Sequence, residues 1–272
     1  MLCRKGYERR ARDEHVLMTS SPILNTPIVL FVISVLIMWG AAWLGASVRK
    51  VDLEGKQRED LGIILGATLT LLGLIIGFSF SMATNRYDLR KTLEEAEANA
   101  IGTELVRAEL LPSAAAADVN VLLRKYLRER IVFYEALDQT KLMTVDADTA
   151  ALQGELWAAV RGPATAAPNP VNALVLAGMN DVLNSQGYTQ AAWWNRIPKA
   201  AWWLMAVIAL CANFLVGFNS HRTQRQSLVL LIMPVLAAIA FLLIADLDSP
   251  RGGLIRVVPQ NLESLASSLA PP

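Results

Sequence analysis

Four stretches of the 272-residue chain are apolar for long enough to cross a membrane, and most of the charged residues fall between them. A hydrocarbon core of about 30 Å takes roughly 20 helical residues. Residues 27–47 make the first block, 61–85 the second, 200–218 the third and 227–245 the fourth. The first is too long for the apolar core of a signal peptide and has no convincing cleavage site. Pro27 suits the first turn of a helix, where the missing N–H costs nothing. Trp39 and Trp43 near the far end of that block, and Trp193, Trp194, Trp202 and Trp203 beside Arg196 and Lys199 at the entry to the third, fit headgroup level. Pro234 predicts a bend in the fourth.

The second block, continued to its first arginine, reads LGIILGATLTLLGLIIGFSFSMATNR (residues 61–86). Gly62, Gly66, Gly73 and Gly77 recur at helical spacing and share one face, which Thr70, Ser81 and Thr84 extend with further small side chains. Small residues let helix backbones approach closely in lipid. The stripe predicts either a helix shared between subunits or an ordinary packing face inside one chain.

From Arg86 the pattern turns charged without a break signal, which predicts one continuous helix as far as Leu111, ended by Pro112. Glu94, Glu95, Glu97, Glu104 and Glu109 on it read as a solvated face. Residues 118–137 alternate apolar and basic positions with helical period. Residues 146–160 predict another helix, with Asp146 as its N-cap. Residues 161–170 read as a loop, and residues 172–185 as a short helix. No stretch alternates with period two. The expected fold is an all-α integral membrane protein: four transmembrane helices plus a helical region at 86–199. A charged connection is expected at 49–60, and the tail at 246–272 is expected to be loose at its end.

Charge adds orientation. Lys and Arg flank the spans more densely in residues 1–26, at 86–91, at Arg196 and Lys199 and in the tail than at Arg49, Lys50, Lys56, Arg58, Arg222 and Arg225. The positive-inside rule therefore places both termini and the 86–199 region in the cytoplasm, with the spans in the plasma (inner) membrane. A net charge of +1 gives no bulk case for nucleic acid. Cys3 and Cys211 make no disulfide framework, and His15 and His221 lack neighbouring ligands, so no metal or other cofactor is expected. No P-loop, GxSxG or HExxH motif is present, and no Asp, Glu, Lys, Arg or His lies inside a span. Proton-coupled carriers usually keep such groups there. An enzyme is not expected. A passive pore remains, or a membrane-anchored helical scaffold or sensor without transport activity.

GFSFSMATNRYDLRK, through Gly77, Phe78, Arg86 and Tyr87, resembles the pore-helix segment of bestrophin anion channels. LIADLDSPRGG, through Asp246, Leu247, Asp248 and Pro250, is similar to the acidic-Leu-acidic-x-Pro segment after the last bestrophin span. Together with EANAIG (residues 97–102), it resembles a bacterial bestrophin-like membrane family. The resemblance implies a homo-oligomer, a pentamer, embedded in membrane lipid and passing small inorganic anions such as chloride. Its pore would be lined by Thr70, Leu74 and Phe78, with Arg86 at the inner mouth. Two departures stand out. Tyr87 is followed by Asp88 rather than a second aromatic, and the Thr70 rung of the apolar ladder is small and polar. No acidic cluster like the animal calcium clasp is recognisable, so no calcium site is carried over.

Overall fold

A computed structural model of the chain describes residues 27–48, 55–220 and 226–270. The expectations for residues 1–26 with Cys3 and His15, for Arg49 and Lys50, for His221, Arg222 and Arg225, and for Pro271 and Pro272 lie outside these described residues. The elements are α1 (Pro27–Val48), α2 (Gly55–Ala108), α3 (Ser113–Glu135), α4 (Gln139–Ala166), α5 (Pro170–Trp194), α6 (Lys199–Asn219), α7 (Gln226–Asp248) and α8 (Gln260–Ser268). Among the described residues there is no strand. Among the described residues, four stretches are long and apolar enough to cross a membrane: Val29–Val48, Gly55–Ala108, Pro170–Asn219 and Leu230–Asp248.

Several local expectations give way. The charged connection is shorter than expected, because α2 already begins at Gly55. The helix predicted from Asp146 starts earlier, and its N-cap is Asp138, whose carboxylate accepts from the Lys141 N–H. Residues 161–166 belong to that helix, which carries Pro163 inside its last turn. Near a helix end proline removes only one ladder bond, and the Ala167 N–H still reaches the Pro163 carbonyl. Asn169 caps α5 through the Asn172 N–H, so this helix is much longer than the short one predicted. The tail contains α8.

The chain divides into two compact units. One comprises Met1–Met82, Ile197–Asp246 and Gly252–Leu254. Its small apolar core gathers Met38, Leu72, Ala209, Ala212 and Ala237. Helices α1 and α6 press together at glycine: a Cβ at Gly45 would strike the Phe214 carbonyl, and one at Gly217 the Ala42 carbonyl. Asn213 is buried nearby in sequence and donates back to the Ala209 carbonyl, 2.8 Å away.

The second unit comprises Ala83–Arg196, Leu247–Arg251 and Ile255–Pro272. Its larger core is built by α2 beyond Met82 with α3, α4, α5 and α8, around Ile101, Leu123, Phe133, Leu156, Met179 and Leu262. The soluble-type helices of this unit have the amphipathic pattern that such a core requires.

Candidate functional site

In the first unit the glycine stripe of α2 is open. Among the described residues, nothing lies within 4 Å of where a Cβ would stand at Gly62, Gly66, Gly73 or Gly77. Thr70 is exposed, as are Leu74 at 52% and Phe78 at 63%. The buried side of the same segment is marked by Leu72 and Ser79, and Leu69 and Ile76 pack against the core. Among the described residues, nothing of this chain packs against the stripe. Thr68 and Thr70 return their hydroxyls to the carbonyls four residues back, at 2.8 and 2.9 Å, which satisfies them without a partner helix.

The motif residues of the second unit have structural anchorages. Arg86 donates to the Asn195 side-chain oxygen at 2.8 Å, and Tyr87 packs half-buried against the core. The organising group is Arg90, read from the sequence only as one of the basic flanks. Its buried guanidinium donates to four backbone carbonyls, those of Ala192, Asn195, Leu247 and Asp248, each at 3.2 Å. These carbonyls end α5 and α7, where the last turns have no intrahelical donors and the helix dipoles are negative. Burial pushes the Arg90 pKa down to about 10 while the Asp248 carboxylate pulls it back up, so the group stays charged at neutral pH.

Arg251, in the same tail motif, serves the end of α3. It donates to the Phe133 and Ala136 carbonyls at 2.7 and 2.9 Å and lies 4.5 Å from the Phe133 ring centre and 4.2 Å from that of Trp193. Arg124 reaches the Leu269 carbonyl just past α8 at 2.6 Å. The other pole is met by Glu94. Its carboxylate accepts from the Asn261 and Leu262 N–H groups at 2.9 and 3.0 Å, capping α8 where Pro259 supplies no side-chain cap. Pro250 and Asp248 are buried in this unit. Asp246 belongs to the first unit, where it accepts from the Leu254 N–H at 2.7 Å; a Cβ at Gly253 would collide with its carboxylate, so the turn requires glycine.

The expected solvated acidic face of α2 does not exist as such. Glu95 and Glu109 are exposed, but Glu94, Glu97 and Glu104 are buried. Glu97 pairs with Arg130 and accepts from the Tyr134 and Thr189 hydroxyls at 3.3 and 3.2 Å. Burial, reinforced by Glu97, pushes the Tyr134 phenol up, so it remains a donor. A phase count along α2 would have found these residues: Ala83, Arg90, Glu94, Glu97, Ile101, Glu104 and Ala108 are all buried at helical spacings of three, four or seven. Among the described residues no three His, Cys, Asp or Glu side chains gather to hold a metal ion.

The helical architecture and apolar spans define an all-α membrane protein. The bestrophin-like domain matches residues 32–262, and the chain belongs to the bestrophin-like family. In fold it is similar to the bacterial bestrophin homologue from Klebsiella pneumoniae. The structure of that protein phased on zinc has 14% identity and a TM-score of 0.60, covering 88% of this chain and 98% of the other. A leucine-to-threonine variant of the same homologue has 14% identity and a TM-score of 0.62, with coverages of 89% and 97%. A tyrosine-to-alanine variant has 12% identity and a TM-score of 0.60, with coverages of 87% and 99%. No curated protein matches the sequence.

Proposed function

We propose that the chain assembles through α2 into a symmetric ring, a pentamer by family resemblance, and that the ring is a passive ion channel. The observation that carries this reading is the open glycine stripe: four glycines aligned on an apolar helix, with no described residue of their own chain against them. Closed rings are a common solution for identical subunits. Close packing of the stripe on a neighbouring copy would bring Thr70, Leu74 and Phe78 toward a shared axis. Apolar rings of this kind gate by dewetting. Both termini and residues 86–199 lie in the cytoplasm on this reading, and the membrane is the inner one. External thiol labelling of Asp138→Cys in cells would overturn that orientation.

Family resemblance makes the permeant ion a small anion such as chloride, and aromatic ring edges at Phe78 tolerate anions. A cation is favoured by a separate observation. The three-and-four spacing of Thr70, Leu74 and Phe78 runs on through Ser81, Asn85, Asp88, Thr92, Glu95, Asn99 and Thr103, all of them exposed. Asp88 and Glu95 put negative charge on that face, whereas the Arg86 and Arg90 side chains are engaged by carbonyl or amide oxygens. Carboxylate rings select cations. Shortening both Leu74 and Phe78 to Ala should raise unitary conductance well above that of the parent in planar bilayers. The reversal potential in a salt gradient then gives the sign of the ion. A correctly assembled ring that stays silent in both forms would contradict the channel and leave the scaffold.

A further inference from the structure

Eighteen residues past Arg86, about 27 Å along the helix at 1.5 Å per residue, Glu104 of α2 lies well beyond the apolar span. It is 0% exposed, and neither carboxyl oxygen has a hydrogen-bond partner. Its side chain lies directly over Gly178 of α5: a Cβ at position 178 would collide with Glu104 Oε2 and with Arg107 Nη1. The charged groups acting on it are Arg107, from its own helix, and Asp181, from α5. Arg107 Nη1 stands 3.8 Å from Asp181 Oδ2, so the guanidinium leans toward the exposed carboxylate and not the buried one.

This arrangement contrasts with the two other buried carboxylates of the helix. Glu94 accepts from two backbone N–H groups and an amide, and Glu97 from a guanidinium and two hydroxyls. Both have the donors that an ionised carboxylate needs. Glu104 has none, and a buried charge without donors is more cheaply neutralised than kept. Two carboxylates also share one guanidinium here, so ionising Glu104 leaves the cluster with an excess negative charge beneath α5.

We propose that Glu104 is a proton-binding group that holds α5 on α2: protonated, it packs neutral against Gly178, and on ionisation it competes with Asp181 for Arg107 and loosens that contact. Burial, opposed by Arg107 and aided by Asp181, pushes the Glu104 pKa from the ordinary 4.5 up to about 8. The group is thus largely neutral at physiological pH and titrates just above it. Between those two values the folded chain keeps a proton that the unfolded chain has released. The stability associated with that proton is complete below about 4.5 and is lost as pH rises toward about 8.

Thermal unfolding of the full chain in nanodiscs from pH 5 to pH 10, parent against Glu104→Gln, reads this directly. The amide is isosteric and has no proton to lose. The parent is expected to fall progressively below the variant as pH rises to 8, by several degrees, after which the two curves run parallel. Curves that run parallel from pH 5 upward would overturn the proposal. Should Glu104→Gln fail to fold, the protonated-carboxyl infrared band of the parent gives the same information. It should be present at pH 7 and lost by pH 10, with its midpoint lowered in Asp181→Asn, whose side chain is exposed. A midpoint near 4.5, or one indifferent to Asp181→Asn, would overturn the proposal.

Discussion

Two sets of glycines in the membrane-type unit behave in opposite ways. Gly45 and Gly217 are where α1 and α6 meet, with the Phe214 and Ala42 carbonyls occupying the space a side chain would need. Gly62, Gly66, Gly73 and Gly77 face nothing within 4 Å. Glycine in a helix interior costs about 1 kcal/mol relative to alanine in water, so each set calls for a reason. The first finds it inside the chain. The second finds none among the described residues, and a second copy of α2 is the occupant that the proposed ring supplies. Spacing alone does not separate the two cases, since the periodic set is the open one and the non-periodic pair is the closed one.

Leucine substitutions break this comparison at graded cost. Gly217→Leu drives a branched side chain into the α1 backbone and should destabilise the subunit by about 3 kcal/mol or more, seen as loss of a folded, monodisperse particle and a collapsed melting transition. Gly73→Leu meets only open space among the described residues. It should preserve helix content by circular dichroism while the native mass falls from ring to smaller species. Unchanged mass and thermal stability would show that the stripe is not an assembly face. Gly40→Leu is the smallest effect and the control. Gly40 is also open, but it lies on α1 outside the α2 stripe, so neither mass nor melting should move. A ring that falls apart on this change would show that openness alone does not mark the contact.

The spans were legible because a bilayer imposes a long, one-sided compositional rule, and α2 was legible as one helix because nothing in residues 86–108 interrupts it. The family motifs were legible too, but not their work. The glutamates of α2 resemble a solvated face in sequence because local composition carries no information about partners 33 to 168 residues away, as for Glu97 with Arg130 and Glu94 with Leu262. The same holds for Arg90, which closes two helix ends whose carbonyls lie 102 to 158 residues further along the chain. The cap was placed at Asp146 because that residue precedes apolar helical positions; the Lys141 N–H shows that Asp138 holds the role. For the open stripe, the glycines were legible and both readings stood; among the described residues nothing packs against it, which is what favours a second copy.

On the proposed ring, the open face of α2 is covered by another copy of the same helix. Native mass spectrometry of the parent chain released from nanodiscs tests it most directly, with Gly73→Leu measured alongside. A single closed oligomer is expected for the parent, five copies by family resemblance, and its loss in the variant. A parent that is monomeric at every concentration would contradict it.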